Sequence, residues 1–226
     1  MIKAVLFDLY ETLITEWNGN QKKAVYSTDE LGLNPKVFKI EWDNRRELRM
    51  NGIFPDHQSV LIDILNSHGK YSDPDVIEKV HQKRIWAKTV PFQQINSEVI
   101  ELLARLKEKG IKIGLISNCA PEEVFSWSTS KLADYFDEVV FSYEVKVAKP
   151  SPEIYQTACN KLGVTPEESI FLGDGGSNEL VGAAEAGLKA YHATWFLPED
   201  YSNNIQGFPK LCSPLDLLNQ VELAHH

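Results

Sequence analysis

Apolar residues in this chain come in short unbroken runs, separated by longer stretches of helical period. Ile2–Phe7 is such a run and ends at Asp8. A run without alternation is the mark of a strand buried on both faces, as in a parallel sheet. The same reading predicts strands over Lys112–Ile116, Val139–Ser142, Ser169–Leu172 and Lys189–Ala193. Between them, Asn96–Gly110 reads as an amphipathic helix. Ser97 is its expected cap, Glu98 suits its positive end and Gly110 its stop. Pro152 is placed as the first residue of a helix running to Leu162, with Gly163 after it. Thr165-Pro166-Glu167-Glu168 has capping-box spacing and predicts one more helical turn. A further helix is expected over Asn178–Ala186.

Strands alternating with helices predict an α/β fold, a Rossmann-like parallel sheet with helices on both faces. Residues 16–92 break the alternation. They read as helices over Lys22–Leu31, Pro35–Met50, His57–His68 and Pro74–Lys88, with no strand among them. The predicted organisation is therefore a core of residues 1–15 and 93–226 carrying a small α-helical cap at 16–92, placed as a lid. Pro198–Pro214 is expected to be a surface loop, and the chain shows no internal repeat.

Charge narrows the partners. The formal net charge is −9, and no segment offers a broad basic face, so a nucleic-acid scaffold is disfavoured. An acidic chain that handles anions needs local positive charge or a metal. Cys119, Cys159 and Cys212 are scattered and odd in number, which argues against a disulfide framework and for a reducing, cytoplasmic setting. No signal peptide and no membrane span are expected. His225 and His226 read as the remnant of an affinity tag and are left out of the functional reading. Nothing selects between a monomer and a homodimer.

In parallel sheets, ligands bind where the strands end. Asp8, Ser117, Lys149 and Asp174 all follow predicted strands or sit in the loops leaving them. Taken singly, each has an ordinary reading: a turn residue, a helix cap, a surface lysine. Together they form one expected site.

These residues also resemble a known family. Phe7-Asp8-Leu9-Tyr10-Glu11-Thr12-Leu13 resembles the first motif of the haloacid dehalogenase superfamily. Leu115-Ile116-Ser117-Asn118 resembles the second, Lys149-Pro150 with Tyr155 downstream the third, and Gly173-Asp174-Gly175-Gly176-Ser177-Asn178-Glu179 the fourth. Four short motifs in order carry far more weight than any one. The resemblance implies an enzyme that hydrolyses small phosphorylated molecules through an aspartyl-phosphate on Asp8, with Mg2+ as cofactor. It implies metal contacts from Asp8, Asp174 and the main-chain carbonyl of Tyr10, with Glu179 nearby. It assigns charge neutralisation to Lys149, phosphoryl binding to Ser117, Asn118 and Lys149, and loop support to Thr12. The chemistry agrees, since a carboxylate attacking an electron-rich phosphoryl group needs the repulsion cancelled by a lysine and a divalent cation.

One position departs from the pattern. Family phosphatases usually carry an Asp two residues after the nucleophile, as general acid on the leaving group; here it is Tyr10. A tyrosine, with reference pKa near 10, is a poor acid–base group at neutral pH. Either Tyr10 takes part in catalysis, or it only packs or hydrogen-bonds. The Asp-x-Tyr-x-Thr form is also similar to metal-independent 2-haloacid dehalogenases, which is the alternative activity. Asp174 argues against it: a carboxylate about 4 Å from a substrate carboxylate costs on the order of 4 kcal/mol at an effective dielectric near 20. A third reading is a non-catalytic homologue that binds a phosphorylated ligand. In the lid, Arg45, Arg46 and Arg49 lie beside Trp42. Arg45 is the candidate to hold a substrate anion, against the plainer reading of a solvated, salt-bridged face. His57, His68 and His81 are given no catalytic role, Cys119 is expected to be a buried small residue, and Trp42, Trp86 and Trp127 are expected to pack.

Overall fold

The structure, a computed structural model, describes residues 1–71 and 73–223. His225 and His226 lie outside the described residues. Its strands are β1 (Ala4–Phe7), β2 (Trp17–Asn18), β3 (Gln21–Lys22), β4 (Lys112–Ser117), β5 (Glu138–Phe141), β6 (Ser169–Gly173), β7 (Lys189–Ala193) and β8 (Lys210–Leu211). Its helices are α1 (Pro35–Asn44), α2 (Arg46–Met50), α3 (His57–Ser67), α4 (Pro74–Thr89), α5 (Ser97–Glu108), α6 (Ser142–Val145), α7 (Pro152–Leu162), α8 (Glu179–Glu185), α9 (Glu199–Asn203) and α10 (Asp216–Leu223).

Six strands form one parallel sheet in the order β5-β4-β1-β6-β7-β8, with β1 at its centre. The unbroken apolar run of β1 has a direct cause. Val5 and Phe7 enter a cluster with Leu102, Leu106 and Leu217 of α5 and α10. Ala4 and Leu6 enter another with Ile154, Ala158 and Leu180 of α7 and α8. Both faces are covered, so neither can be polar. Phe7 is level with Leu115 of β4 and Leu172 of β6, so the chain leaves the three central strands at nearly one height. Among the described residues, no helix is long and apolar enough to cross a membrane.

A third cluster lies apart from the sheet. Phe38, Val60, Leu61, Ile64, Leu65, Ile77 and Val80 join α1, α3 and α4, with Leu31 and Leu33 beside them. Four expectations need correction. No α-helix spans Lys22–Leu31: the chain makes the small β2–β3 hairpin and then a single 3-10 turn over Asp29–Leu31. The Ser27 hydroxyl accepts from the Asp29 N–H at 3.0 Å, a local bond that favours a turn over a helix interior. Pro35–Met50 is two helices, because Arg45 leaves helical geometry at φ −95°, ψ 8°. The helix before β4 is capped by Asn96, whose Oδ1 accepts from the Glu98 N–H at 2.7 Å, one residue earlier than expected. The segment Pro198–Pro214 is not all loop: it holds α9 and the edge strand β8, docked by His192 N–H to the Pro209 carbonyl.

Candidate active site

Asp8 follows β1 with its N–H donated to the Leu172 carbonyl at 2.9 Å, so the sheet itself fixes its main chain. Its side chain is buried and meets the Lys149 ammonium at 2.5 Å through Oδ1. Thr12, in the turn after β1, donates its hydroxyl to Asp8 Oδ2 at 3.3 Å. The Thr12 carbonyl takes the Trp195 indole N–H at 3.0 Å, which ties that turn to the loop after β7.

Lys149 sits at the centre. Its Nζ donates to Asp8, to Glu179 Oε2 at 2.5 Å and to the Ile116 carbonyl at 3.0 Å, using all three protons. Asn118 bonds to the Lys149 N–H and carbonyl, each at 2.8 Å. Asn118 therefore acts on the lysine's backbone, and its amide is spent there. Ser117 is the last residue of β4 and is buried beside this pair.

The loop after β6 is built for close approach. A Cβ on Gly173 would lie 2.1 Å from Glu179 Oε1, and Gly175 has φ +88° with Ile205 where a Cβ would go. A larger residue would have to displace the Glu179 side chain at the first position and the Ile205 side chain at the second, where the positive φ also favours glycine. The loop aims N–H groups at carboxylates: Gly176 N–H to Asp174 Oδ1 and Gly175 N–H to Glu179 Oε1, both at 3.0 Å. Both Glu179 oxygens are thus engaged.

Asp8, Asp174 and Glu179 each bring a carboxylate oxygen within 4.8 Å of the others. Burial raises the Asp8 pKa; Lys149 pulls it down and Asp174 pushes it up again. Burial, then Asp8, holds Glu179 well above the usual carboxylate range, with Lys149 opposing. Burial disfavours the Lys149 ammonium, but Asp8 and Glu179 outweigh it and raise its pKa. Three carboxylates face one ammonium, leaving negative charge that this cluster does not cancel. All three offer hard oxygen donors, the kind magnesium prefers, so the residues present fit such a cation.

The side chains of Tyr10 and Arg45 are engaged with partners outside the carboxylate cluster. The Tyr10 hydroxyl donates to the Glu123 carbonyl at 2.6 Å, its ring packs edge-on to Phe92, and Lys88 lies 4.7 Å from its centre. Burial, with Glu123 next, raises its pKa well above 10, so it keeps its proton. Its side chain packs against Phe92 and bonds to the Glu123 carbonyl. Arg45 is paired with Glu41 and Asp63 at 2.5 and 2.7 Å and is committed there. The break at Arg45 instead turns its neighbour: Arg46 Nη2 donates to Ser177 Oγ at 2.8 Å, in the loop that carries Asp174.

A buried ion network was not foreseen. Arg84 of α4 bonds Glu122 at 2.7 Å, Glu123 at 2.9 Å and the Tyr26 hydroxyl at 3.0 Å. Lys88, one turn on, pairs with Glu16 and Glu123 at 2.9 and 3.2 Å. Glu122 and Glu123 lie in the turn just after the Ser117-Asn118 pair. The four-residue spacing of Arg84 and Lys88 and the adjacent glutamates were the available signals. His57 and His81 share a 3.3 Å contact between α3 and α4, and His68 pairs with Glu41. Burial pushes the Cys119 thiol pKa well up, which keeps it inert. Trp127 is buried, Trp42 stacks under the Arg49 guanidinium at 3.8 Å, and Trp86 is exposed.

Two clefts border the site, one at Asp174 and one at Lys149. One, of about 370 Å³, has Glu11 and Asp174 in its wall. The other, of about 400 Å³, has Lys149, Asn118 and Arg46.

The profile of a family described as haloacid dehalogenase-like hydrolase matches residues 2–187. The chain is 29% identical over 200 residues to a glyceraldehyde 3-phosphate phosphatase of Methanopyrus kandleri, covering 83% of this chain and 82% of that one. It is 29% identical over 208 residues to the pyrophosphatase PpaX of Bacillus cereus, covering 87% and 85%. Its fold matches a crystal structure of a 2-haloacid dehalogenase from Pseudomonas syringae pv. Tomato at TM-score 0.70 and 21% identity, over 98% of this chain and 99% of that one.

Proposed function

The chain belongs to the haloacid dehalogenase-like hydrolases, and from that premise we propose that it is a magnesium-dependent phosphatase of small phosphorylated molecules with Asp8 as nucleophile. The observation that carries this reading is the trio of Asp8, Asp174 and Glu179 within 4.8 Å around a single lysine. Asp8, Asp174 and the main-chain carbonyl of Tyr10 would hold magnesium, with Glu179 beside them. When bound, the cation supplies the positive charge that lets a phosphoryl group approach these carboxylates.

The chain's own residues do the rest. Asp8 attacks phosphorus and forms the aspartyl-phosphate, which water then cleaves. Lys149 is fixed by Asn118 on its backbone and by Glu179 on its ammonium, so its charge is in place before substrate arrives. Ser117 binds the phosphoryl group, and Thr12 holds the orientation of Asp8. Residues 16–92 act as the cap, joined to the core by Arg46–Ser177 and by the Arg84–Glu122–Glu123 network. Three free thiols suit a reducing cytoplasm.

The rival activity, dehalogenation of a 2-haloacid, takes its support from Tyr10 standing where a second Asp is usual. Asp174 weighs against it, because a substrate carboxylate would meet one more anion. Hydrolysis of p-nitrophenyl phosphate and acetyl phosphate by wild type and Asp8→Asn, with magnesium and with chelator, tests the proposal. Turnover that needs magnesium and is lost in Asp8→Asn supports it. Halide release from 2-chloropropionate that survives the chelator, without phosphatase turnover, overturns it.

A further inference from the structure

The two clefts differ in chemistry. The cleft that contains Asp174 is walled by Trp17 of the β2–β3 hairpin and by Phe196, Leu197, Pro198 and Tyr201 after β7. Glu11 and Asp174 are its charged members, and among the described residues no cationic side chain lines it. Trp17 is 40% exposed and Tyr201 48% exposed, so two large rings stand in water at its mouth. Along the hairpin it shares Trp17, Asn20 and Phe196 with a wider groove of about 540 Å³, which brings in Thr15, Asn18 and Lys23. The cleft at Lys149 by contrast carries charges of both signs, from Arg46, Lys149, Asp43 and Glu47.

We propose that the Trp17–Tyr201 cleft receives the leaving group of the substrate, and that this group is an aromatic ring: the substrates are phosphate monoesters of phenols or of hydroxylated heteroaromatic rings. The inference rests on the phosphatase reading above and adds a substrate class to it. Two independent observations lead here.

The first is the wall itself. Aromatic rings gain from offset or edge-to-face contact beyond the area they bury. Three rings form a largely apolar slot that reaches the carboxylate cluster at Asp174. A leaving group whose body carries a carboxylate or a second phosphate would set that charge against Glu11 and Asp174, whereas the charge of a phenolate sits on the oxygen released at phosphorus and spreads into the ring.

The second is the state of Tyr10. Its hydroxyl is donated to the Glu123 carbonyl at 2.6 Å, so the position two residues after the nucleophile has no proton for the departing oxygen. Glu11, the other carboxyl in the wall, has its two oxygens turned to the Thr15 hydroxyl and the Glu16 N–H, so a leaving oxygen that is stable as an anion departs most readily. A phenol ionises near pH 10, as tyrosine does. A water-like hydroxyl ionises near 15.7. Without a proton donor, chemistry therefore favours phenolate over alkoxide.

The step balances. An Asp8 carboxylate oxygen bonds to phosphorus, and the phosphorus–oxygen bond to the ring breaks, with its electron pair leaving on the phenolate. Water then attacks the aspartyl-phosphate and restores Asp8. The proton released by that water matches the one the phenolate takes from solvent.

The test compares kcat/KM for phenyl phosphate and cyclohexyl phosphate in wild type, Trp17→Ala, Tyr201→Ala, Trp17→Phe and Arg46→Ala, with folding checked by circular dichroism. Phenyl phosphate should lead by about 100-fold or more in wild type. Trp17→Ala and Tyr201→Ala should cut that lead roughly tenfold each, in the range a pocket of this kind discriminates. Trp17→Phe, which keeps a ring, should restore most of it. A readout free of turnover is phenyl phosphate binding to Asp8→Asn without metal, which should weaken when Trp17→Ala is added. Equal rates on the two esters overturn the inference. So does an aryl preference unmoved by Trp17 and Tyr201 but lost in Arg46→Ala, which would put the leaving group in the other cleft. Absence of any turnover sensitive to Asp8→Asn would instead remove the phosphatase reading itself.

Discussion

The side-chain amide of Asn118 holds Lys149 by both of its main-chain polar groups: Oδ1 accepts from the Lys149 N–H and Nδ2 donates to the Lys149 carbonyl, each at 2.8 Å. The two residues are 31 positions apart, on loops leaving different elements. The pairing means that the lysine ammonium is aimed from its backbone outward.

Asn118→Ala should therefore lower kcat by roughly 10- to 100-fold, the range expected when a charged group is displaced by about an ångström. It should also lower the thermal midpoint, because two buried main-chain groups lose their partners at about 1–3 kcal/mol each. Steady-state kinetics and a thermal melt check both. An unchanged kcat would mean that Glu179 and Asp8 alone place the ammonium.

Lys149 also holds two buried carboxylates apart from self-repulsion. Removing one partner of a buried ion pair typically costs about 3–5 kcal/mol, because a bare charge is left behind. Lys149→Met should destabilise the metal-free protein on that scale. Adding Glu179→Gln should recover a large part of the loss while activity stays absent. Urea unfolding of the single and double variants measures this; a double variant no more stable than Lys149→Met would contradict the charge argument.

Much of this was readable in the chain before folding, and the reason is geometric. β1 is buried on both faces, so Ile2–Phe7 is unbroken and its end marks Asp8. The other anchors lie at comparable strand ends or in loops whose glycines and prolines have few alternatives. What was not readable lacks a period. The β2–β3 hairpin and β8 are two residues per strand, too short for alternation to register. Three arginines in one helical stretch give no local sign of which reaches the core, and the break at Arg45 is what brings Arg46 to Ser177. The Arg84–Glu123 pair spans 39 residues, and no local pattern reports a contact of that separation. The role of Asn118 was hidden because an Asn after a strand is equally a turn residue.

Glu123 provides a pH test away from the carboxylate cluster. Its burial favours protonation, but Lys88 and Arg84 overcome this and bring its pKa down to about 2. A carboxyl with a depressed folded pKa binds fewer protons folded than unfolded. Its stabilisation is complete above the unfolded value near 4.3 and is lost as pH falls from there toward 2. The amount is on the order of 3 kcal/mol. Glu123→Gln should thus be less stable than wild type at pH 7, and its stability should fall less steeply between pH 5 and pH 3. Urea midpoints across that range give the comparison; parallel curves would show that Glu123 is not held ionised by Arg84 and Lys88.

Asp174 supplies the sharpest contrast, because one substitution should act with opposite signs. Without metal, Asp174 adds to the repulsion felt by Asp8 and Glu179, raising the pKa of both. Asp174→Asn should therefore leave the metal-free protein at least as stable as wild type. With metal the order reverses. A ligand that binds only the folded state stabilises by about 2.7 kcal/mol at 100 times its dissociation constant. For a domain of this size each kcal/mol moves the midpoint by roughly 2–4 °C. Magnesium should raise the wild-type midpoint by about 5–10 °C, and a chelator should reverse the rise. Asp174→Asn should show little of it. If Asp174→Asn instead lowered metal-free stability and kept the full magnesium response, Asp174 would be a structural loop residue held by Gly176, and the cation would have to rest on other oxygens.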